Sequence, residues 1–127
     1  MAIIVERGQQ LPAMLAAPRA IALVSVPWSP WPRKSRDVLT ALERSRELWL
    51  PDATVEFYDL WPEEDDELNR WYVGMCQSHA TRFELHGHGY GPLWWLAGGV
   101  VLECLTRPYA QLLELLQQRS AALLAGC

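Results

Sequence analysis

With 127 residues, half of them hydrophobic and a fifth charged, the chain is long enough for one compact core and too apolar to remain disordered. Its formal net charge of −4 excludes a nucleic-acid binder that works through general basicity. No apolar run approaches the roughly 20 residues of a membrane helix, and the N-terminus lacks the basic region of a secretory signal, so neither is expected.

In chain order, Ala2 to Val5 is short, apolar and β-branched, as in an edge strand, and Gln9 to Ala17 carries Leu11, Met14 and Leu15 at helical spacing before Pro18 stops it. Ala20 to Val26 is apolar without clean alternation, the pattern of a strand buried on both faces. Val26-Pro27-Trp28-Ser29-Pro30-Trp31-Pro32-Arg33-Lys34 follows. Its three prolines fix three φ angles and remove three donors, so neither a helix nor a ladder is expected to run through it. From Ser35 the period changes to 3.6, with Val38, Leu39, Ala41, Leu42, Leu48 and Trp49 on one stripe. Pro51-Asp52 ends that helix, and Thr54 to Tyr58 has the residue types of a strand.

The acidic run Glu63 to Glu67 suits the first turn of a helix that continues through Leu68, Trp71, Tyr72 and Met75 to about Gln77. Thr81 to Leu85 has an extended pattern, and the glycines of His86 to Pro92 call for unusual backbone angles or close approach. Leu93 to Leu96 and Val100 to Glu103 read as strands joined by a Gly98-Gly99 hairpin turn. Thr106 then caps a last helix, with Pro108 in its first turn and Tyr109, Leu112, Leu113, Leu116, Leu123 and Leu124 as its core face. The order is β-α-β-α-β-α-β-β-α, with no repeat or linker dividing residues 1–127, which implies one α/β domain with parallel crossovers and a late antiparallel hairpin.

Three local marks in this order resemble the thioredoxin family across roughly residues 2 to 122. Trp28-Ser29-Pro30-Trp31-Pro32-Arg33 is similar to the family's W-C-G-P-C-K segment, Gly91-Pro92-Leu93 to the segment with the cis-proline, and Gly98-Gly99 to the hairpin turn after the next strand. The resemblance implies a three-layer α/β/α sandwich around a mixed sheet of about five strands. It also implies that Ser29 stands where the nucleophilic cysteine would be and Pro32 where the resolving one would be. Disulfide exchange needs a thiolate and a second thiol to release the mixed disulfide. A serine and a proline supply neither, so no dithiol oxidoreductase activity is expected.

The three cysteines, Cys76, Cys104 and Cys127, form no C-x-x-C motif and are odd in number, which suits a reducing cytoplasm. Cys76, His79, His86 and His88 are metal-competent side chains in a short span, but their spacing matches no ordinary zinc finger, and surface histidines with a buried thiol are the simpler reading; neither a metal nor a cofactor is expected. Ser29 with His88 as its base lacks an orienting third group and an oxyanion hole in the sequence. The glycines of His86 to Gly91 precede a strand rather than a helix, so a phosphate loop is discarded.

Charge is uneven along the chain. Residues 1–50 hold seven Lys/Arg and four acids, and the remainder four and eleven; the plain reading is two solvated faces, the sharper one a face that steers a charged partner. The resemblance places the Pro/Trp loop beside the Pro92 loop, where the family holds extended peptides. The expectation is a non-catalytic protein-binding module (an adaptor, an accessory subunit or an immunity-type inhibitor). Its surface comprises Trp28, Ser29, Pro30, Trp31, Pro32, Arg33, Lys34, Tyr90, Gly91 and Pro92, with rigid aromatics as anchors and a basic rim. The partner is then a protein, with no nucleic acid and no membrane, and a homodimer stays open. The alternative is a thioredoxin-fold enzyme without the dithiol, with glutathione- or peroxide-linked activity through Cys76.

Overall fold

A computed structural model describes residues 3–4, 8–78 and 88–126. The expectations for Thr81 to Leu85, for His79 and His86, for the His88 side chain and for Cys127 fall outside the described residues.

Four strands form one mixed sheet: β1 (Ala20–Val24), β2 (Glu56–Leu60), β3 (Leu93–Ala97) and β4 (Val100–Leu105), in the order β2-β1-β3-β4. β1 pairs parallel with β2, and β3 runs antiparallel to both β1 and β4. Among the described residues the sheet has four strands where about five were expected. Of the expected first strand only Ile3 and Ile4 are described, and Ile4 makes a parallel bridge to Tyr58 on the outer side of β2, through Ile4 N–H to Phe57 O and Asp59 N–H to Ile4 O.

Alternation along the strands builds two apolar layers, as the period of two requires. Ala20, Ala22 and Val24 of β1, with Tyr58, Leu60, Trp94 and Leu96, meet α1 (Gln10–Ala16) and α4 (Asp66–Ser78) through Leu11, Met14, Leu68 and Tyr72. On the other face Ile21, Leu23, Phe57, Leu93 and Trp95 meet α2 (Trp31–Arg44), α3 (Arg46–Trp49) and α5 (Leu113–Leu124) through Leu39, Leu42, Trp49, Leu116 and Leu124. Trp94 and Trp95 are adjacent in sequence, fully buried and on opposite faces. Trp95 Nε1 donates to Ser120 Oγ at 3.0 Å, and that hydroxyl donates in turn to Leu116 O. The register shift between Trp95 and Leu96 makes Leu102 the extra residue of a bulge. It lets Val101 and Cys104, three positions apart, face the same layer. Gly98 and Gly99 form the hairpin turn with φ of +55° and +82°, the positive angles a type I′ turn demands.

Several boundaries differ from those read in the sequence. α2 begins at Trp31 rather than Ser35, because Pro30 and Pro32 sit at its N-cap and first turn, where a missing N–H leaves no helical bond unmade. It ends at Ser45, whose hydroxyl donates to Ala41 O at 2.7 Å and receives Gln117 Nε2 at 3.0 Å; α3 then turns Leu48 outward to 83 % exposure, off the expected apolar stripe. The acidic run divides: Glu63 and Glu64 belong to a 3-10 turn, Pro62–Glu64, Asp65 Oδ1 accepts Leu68 N–H, and Asp66 and Glu67 stand in the first turn of α4 as expected. Pro108–Ala110 is also a 3-10 turn, followed by extended Gln111, so the last helix starts only at Leu113 and Thr106 does not cap it. Leu112 and Leu113 are consequently exposed instead of core, and Tyr109 is released for another contact.

Candidate functional site: the junction of two loops

β1 and β3 end side by side, which brings the segments that follow and precede them together. Val24 N–H donates to Pro92 O at 3.1 Å, and Ser25 N–H to Leu60 O at 2.7 Å. The chain then turns through Pro27 and Trp28 into α2, and its path is fixed by three contacts with residues 89–91. The Ser29 hydroxyl donates to Gly89 O while accepting Trp31 N–H at 3.3 Å. The Trp28 ring lies over Gly89, where a β-carbon would stand 2.6 Å from the ring edge. Gly91, at φ +69°, approaches Pro32 so closely that a β-carbon would lie 2.8 Å from its Cα.

The Gly91–Pro92 peptide is trans, since the described residues contain no cis bond. Pro92 is thus not the cis-proline that the resemblance implied, and the left-handed angle at Gly91 makes the reversal instead. Pro32, Gly91 and Pro92 are buried as the floor of the junction, whereas Pro30, Arg33 and Lys34 are exposed. Trp28 is 62 % exposed and Trp31 38 %.

Trp31 belongs to an aromatic cluster only half visible in the sequence. Its ring stacks on Tyr109 with centroids 5.4 Å apart and planes at 12°, and lies tilted to Tyr90 at 6.4 Å. Lys34 Nζ stands 4.9 Å over the Trp31 ring, and the Arg107 guanidinium 4.3 Å over Tyr90. Trp28, Ser29, Pro30, Trp31, Gly89 and Tyr90 line an open groove of about 400 Å³. Sequence reasoning missed Arg107 and Tyr109; the signal was Pro108, which favours a turn as readily as a helix start.

Beneath the same end of the sheet lies a buried polar cluster that the sequence reading also missed. Asp59, 2 % exposed, accepts Arg36 Nε at 2.7 Å and the Ser25 hydroxyl, and Arg36 Nη2 reaches Ser25 Oγ at 3.2 Å. Gln10 Nε2 donates to the carbonyls of Asp59 and Ile4 at 2.7 and 3.0 Å. The cluster anchors α2 to the sheet, and Arg36 lies 5.7 Å from the Trp61 ring centroid on its way.

Cys76 opens on a separate apolar cavity of about 310 Å³, lined by Val24, Val26, Pro62, Tyr72 and Val73 among others. Burial pushes its thiol upward, and the Tyr72 hydroxyl only partly offsets this. A group held protonated at neutral pH is poorly suited to nucleophilic work. Cys104 is pushed higher still, first by burial and then by Cys76 and Glu103. Among the described residues no cluster of three His, Cys, Asp or Glu side chains is arranged to hold a metal ion, and no helix is long and apolar enough to cross a membrane.

No family model and no curated protein sequence matches the chain. Its fold does match solved structures. A designed protein shares 16 % identity at a TM-score of 0.57, over 92 % of each chain. Human ERp44, in a crystal structure of its form I, shares 12 % identity at a TM-score of 0.61, over 94 % of this chain and 30 % of that one. At such identities the likeness concerns the fold alone, and the mixed four-stranded sheet with helices on both faces is consistent with the thioredoxin-like architecture of the ERp44 match.

Proposed function

We propose that this chain is a non-catalytic, thioredoxin-like protein-binding module, acting as an adaptor, accessory subunit or inhibitor through the groove at the loop junction. The observation that carries the reading is the exposure of Trp28 and Trp31 on a rigid floor. Two large aromatics are presented to solvent while Ser29, Pro32, Gly89 and Gly91 hold the backbone beneath them. Preset aromatic side chains of this kind lose little conformational freedom on binding and are the common anchors of interfaces.

The absence of thiols at positions 29 and 32 supports a role without dithiol exchange. The Ser29 hydroxyl is already committed on both its donor and acceptor sides. The free thiols of Cys76 and Cys104 accord with a reducing, cytoplasmic setting. The test is affinity capture with the full chain and its Trp28→Ala and Trp31→Ala variants. A specific protein should be retained by the parent and lost from the variants at unchanged melting temperature; equal retention by all three counts against the groove.

A further inference from the structure

Resting on that reading, we infer that the groove takes an extended acidic polypeptide segment. A proline or aromatic residue of the segment sits between Trp28 and Tyr90, and its carboxylates meet Arg33, Lys34 and Arg107. The charge of the site carries this. Among the described residues the six that line it include no acid, and two cations are held over its aromatic rings, Lys34 over Trp31 and Arg107 over Tyr90. Both residues are exposed, and a cation over a ring keeps its outward N–H groups for another acceptor. Arg33, next to Lys34 in the sequence, is exposed as well.

The acidic turn Pro62–Glu64 lies at the same end of the sheet, where Glu63 lines the neighbouring cavity with Val26, so the attraction comes from the cations over Trp31 and Tyr90 and not from the chain's overall charge. The stiff backbone of Pro27, Pro30 and Pro32 suits an equally extended ligand, since neither side then needs much ordering. A single nucleic-acid strand also combines stacking with negative charge. It carries one charge per nucleotide, however, and a chain of net charge −4 with two cations held at the groove is poorly matched to it.

The test is a random-peptide library displayed on yeast and selected with the full chain, followed by fluorescence polarisation of synthetic copies of the selected peptides and of an oligo(dT) probe. The comparison set is the parent chain, Trp31→Ala, and a triple variant with Arg33→Glu, Lys34→Glu and Arg107→Glu. Arg107→Gln serves as the milder check if the triple variant melts early. Selected peptides should be rich in Asp and Glu, and their affinity should fall about tenfold or more in the triple variant. Peptides without acidic enrichment that still depend on Trp31 overturn the acidic partner and leave the binding surface standing. Tighter, Trp31-dependent binding of oligo(dT) overturns it in favour of nucleic acid. Selected peptides indifferent to Trp31→Ala, or no binders at all, overturn the acidic partner together with the surface.

Discussion

The Trp28 ring lies against Gly89, at a separation that leaves no room for a β-carbon, while Gly91 two residues later is pressed against the backbone of Pro32. The two glycines support the same junction in different ways. At Gly89 the obstacle is the outer edge of a largely exposed side chain, which can swing aside. At Gly91 it is main chain, and φ is +69° as well. Gly91→Ala should accordingly cost about 2 kcal/mol or more, and Gly89→Ala less than about 1 kcal/mol while displacing Trp28 and weakening partner binding. Chemical denaturation of both variants, with tryptophan quenching of Gly89→Ala, checks the contrast; equal stability losses would contradict it.

Ser29 links the two loops rather than offering a nucleophile. Removing its hydroxyl leaves Gly89 O and Trp31 N–H without that partner, so Ser29→Ala should cost about 1 kcal/mol. Ser29→Cys restores one sulfur but no resolving thiol, because position 32 is proline. That variant should show no turnover in insulin reduction. Multiple-turnover activity in it would mean that another cysteine reaches the loop.

The Arg36–Asp59 pair should matter more to stability than any surface ion pair. Asp59 is almost wholly buried and Arg36 about a third exposed, so Arg36→Ala leaves a carboxylate that, among the described side chains, only Ser25 still supports. The expected loss is about 3 kcal/mol, reduced from the fully buried case by the solvent that reaches Arg36. Arg46→Ala provides a comparison at a more exposed carboxylate, because its partner Glu47 is on the surface. Its ion-pair contribution should be within about 0.5 kcal/mol, although the bonds from Arg46 to Leu50 O and Ala53 O add a separate loss. Pairing each variant with the matching acid in a double-mutant cycle isolates the ion-pair contribution; equal coupling in the two cycles would contradict the assignment.

Stability should fall in alkali. Burial raises the Cys104 thiol and the Tyr72 hydroxyl above their ordinary values of 9.0 and 10.0, with Cys76 adding to both shifts. Both groups become anionic on losing a proton, and the unfolded chain releases that proton first. The contribution is whole below the ordinary values and is lost as pH rises past them, by up to about 1.4 kcal/mol per group for each pH unit. Melting temperature should therefore decline from about pH 9 upward, less steeply in Cys104→Val. Cys76, also raised by burial, should be alkylated at neutral pH more slowly than a free cysteine. Faster alkylation would revive a nucleophilic role.

The sheet and its two layers were legible because their signals are local and periodic. Ala20 to Val24 shows the unbroken apolar run of a doubly covered strand, and Gly98-Gly99 marks the β3–β4 hairpin without help from the rest of the chain. What the sequence hid was decided by tertiary contacts. Prolines 30 and 32 look like breakers but serve the first turn of α2, and Ser45 ends that helix through a hydroxyl bond that no periodicity announces. Tyr109 at helical spacing looks like core, yet Pro108 tightens its turn and the ring stacks on Trp31. Arg36 and Asp59 lie 23 positions apart, and only the parallel pairing of β1 with β2 brings the end of β2 to Ser25 and the adjoining helix. Ser29 and Trp31 were visible as an odd pair in a stiff loop; their dependence on Gly89 and Tyr109 was not.

The central claim is that the groove at the loop junction is where a protein partner sits. The most direct measurement places a photo-reactive phenylalanine analogue at position 28 and, in a second variant, at position 48, where Leu48 is even more exposed beyond the far end of α2. After irradiation in cells, position 28 should yield a discrete crosslinked protein that Trp31→Ala removes, and position 48 should not yield it. The same crosslink from both positions, or from position 48 alone, would contradict the account.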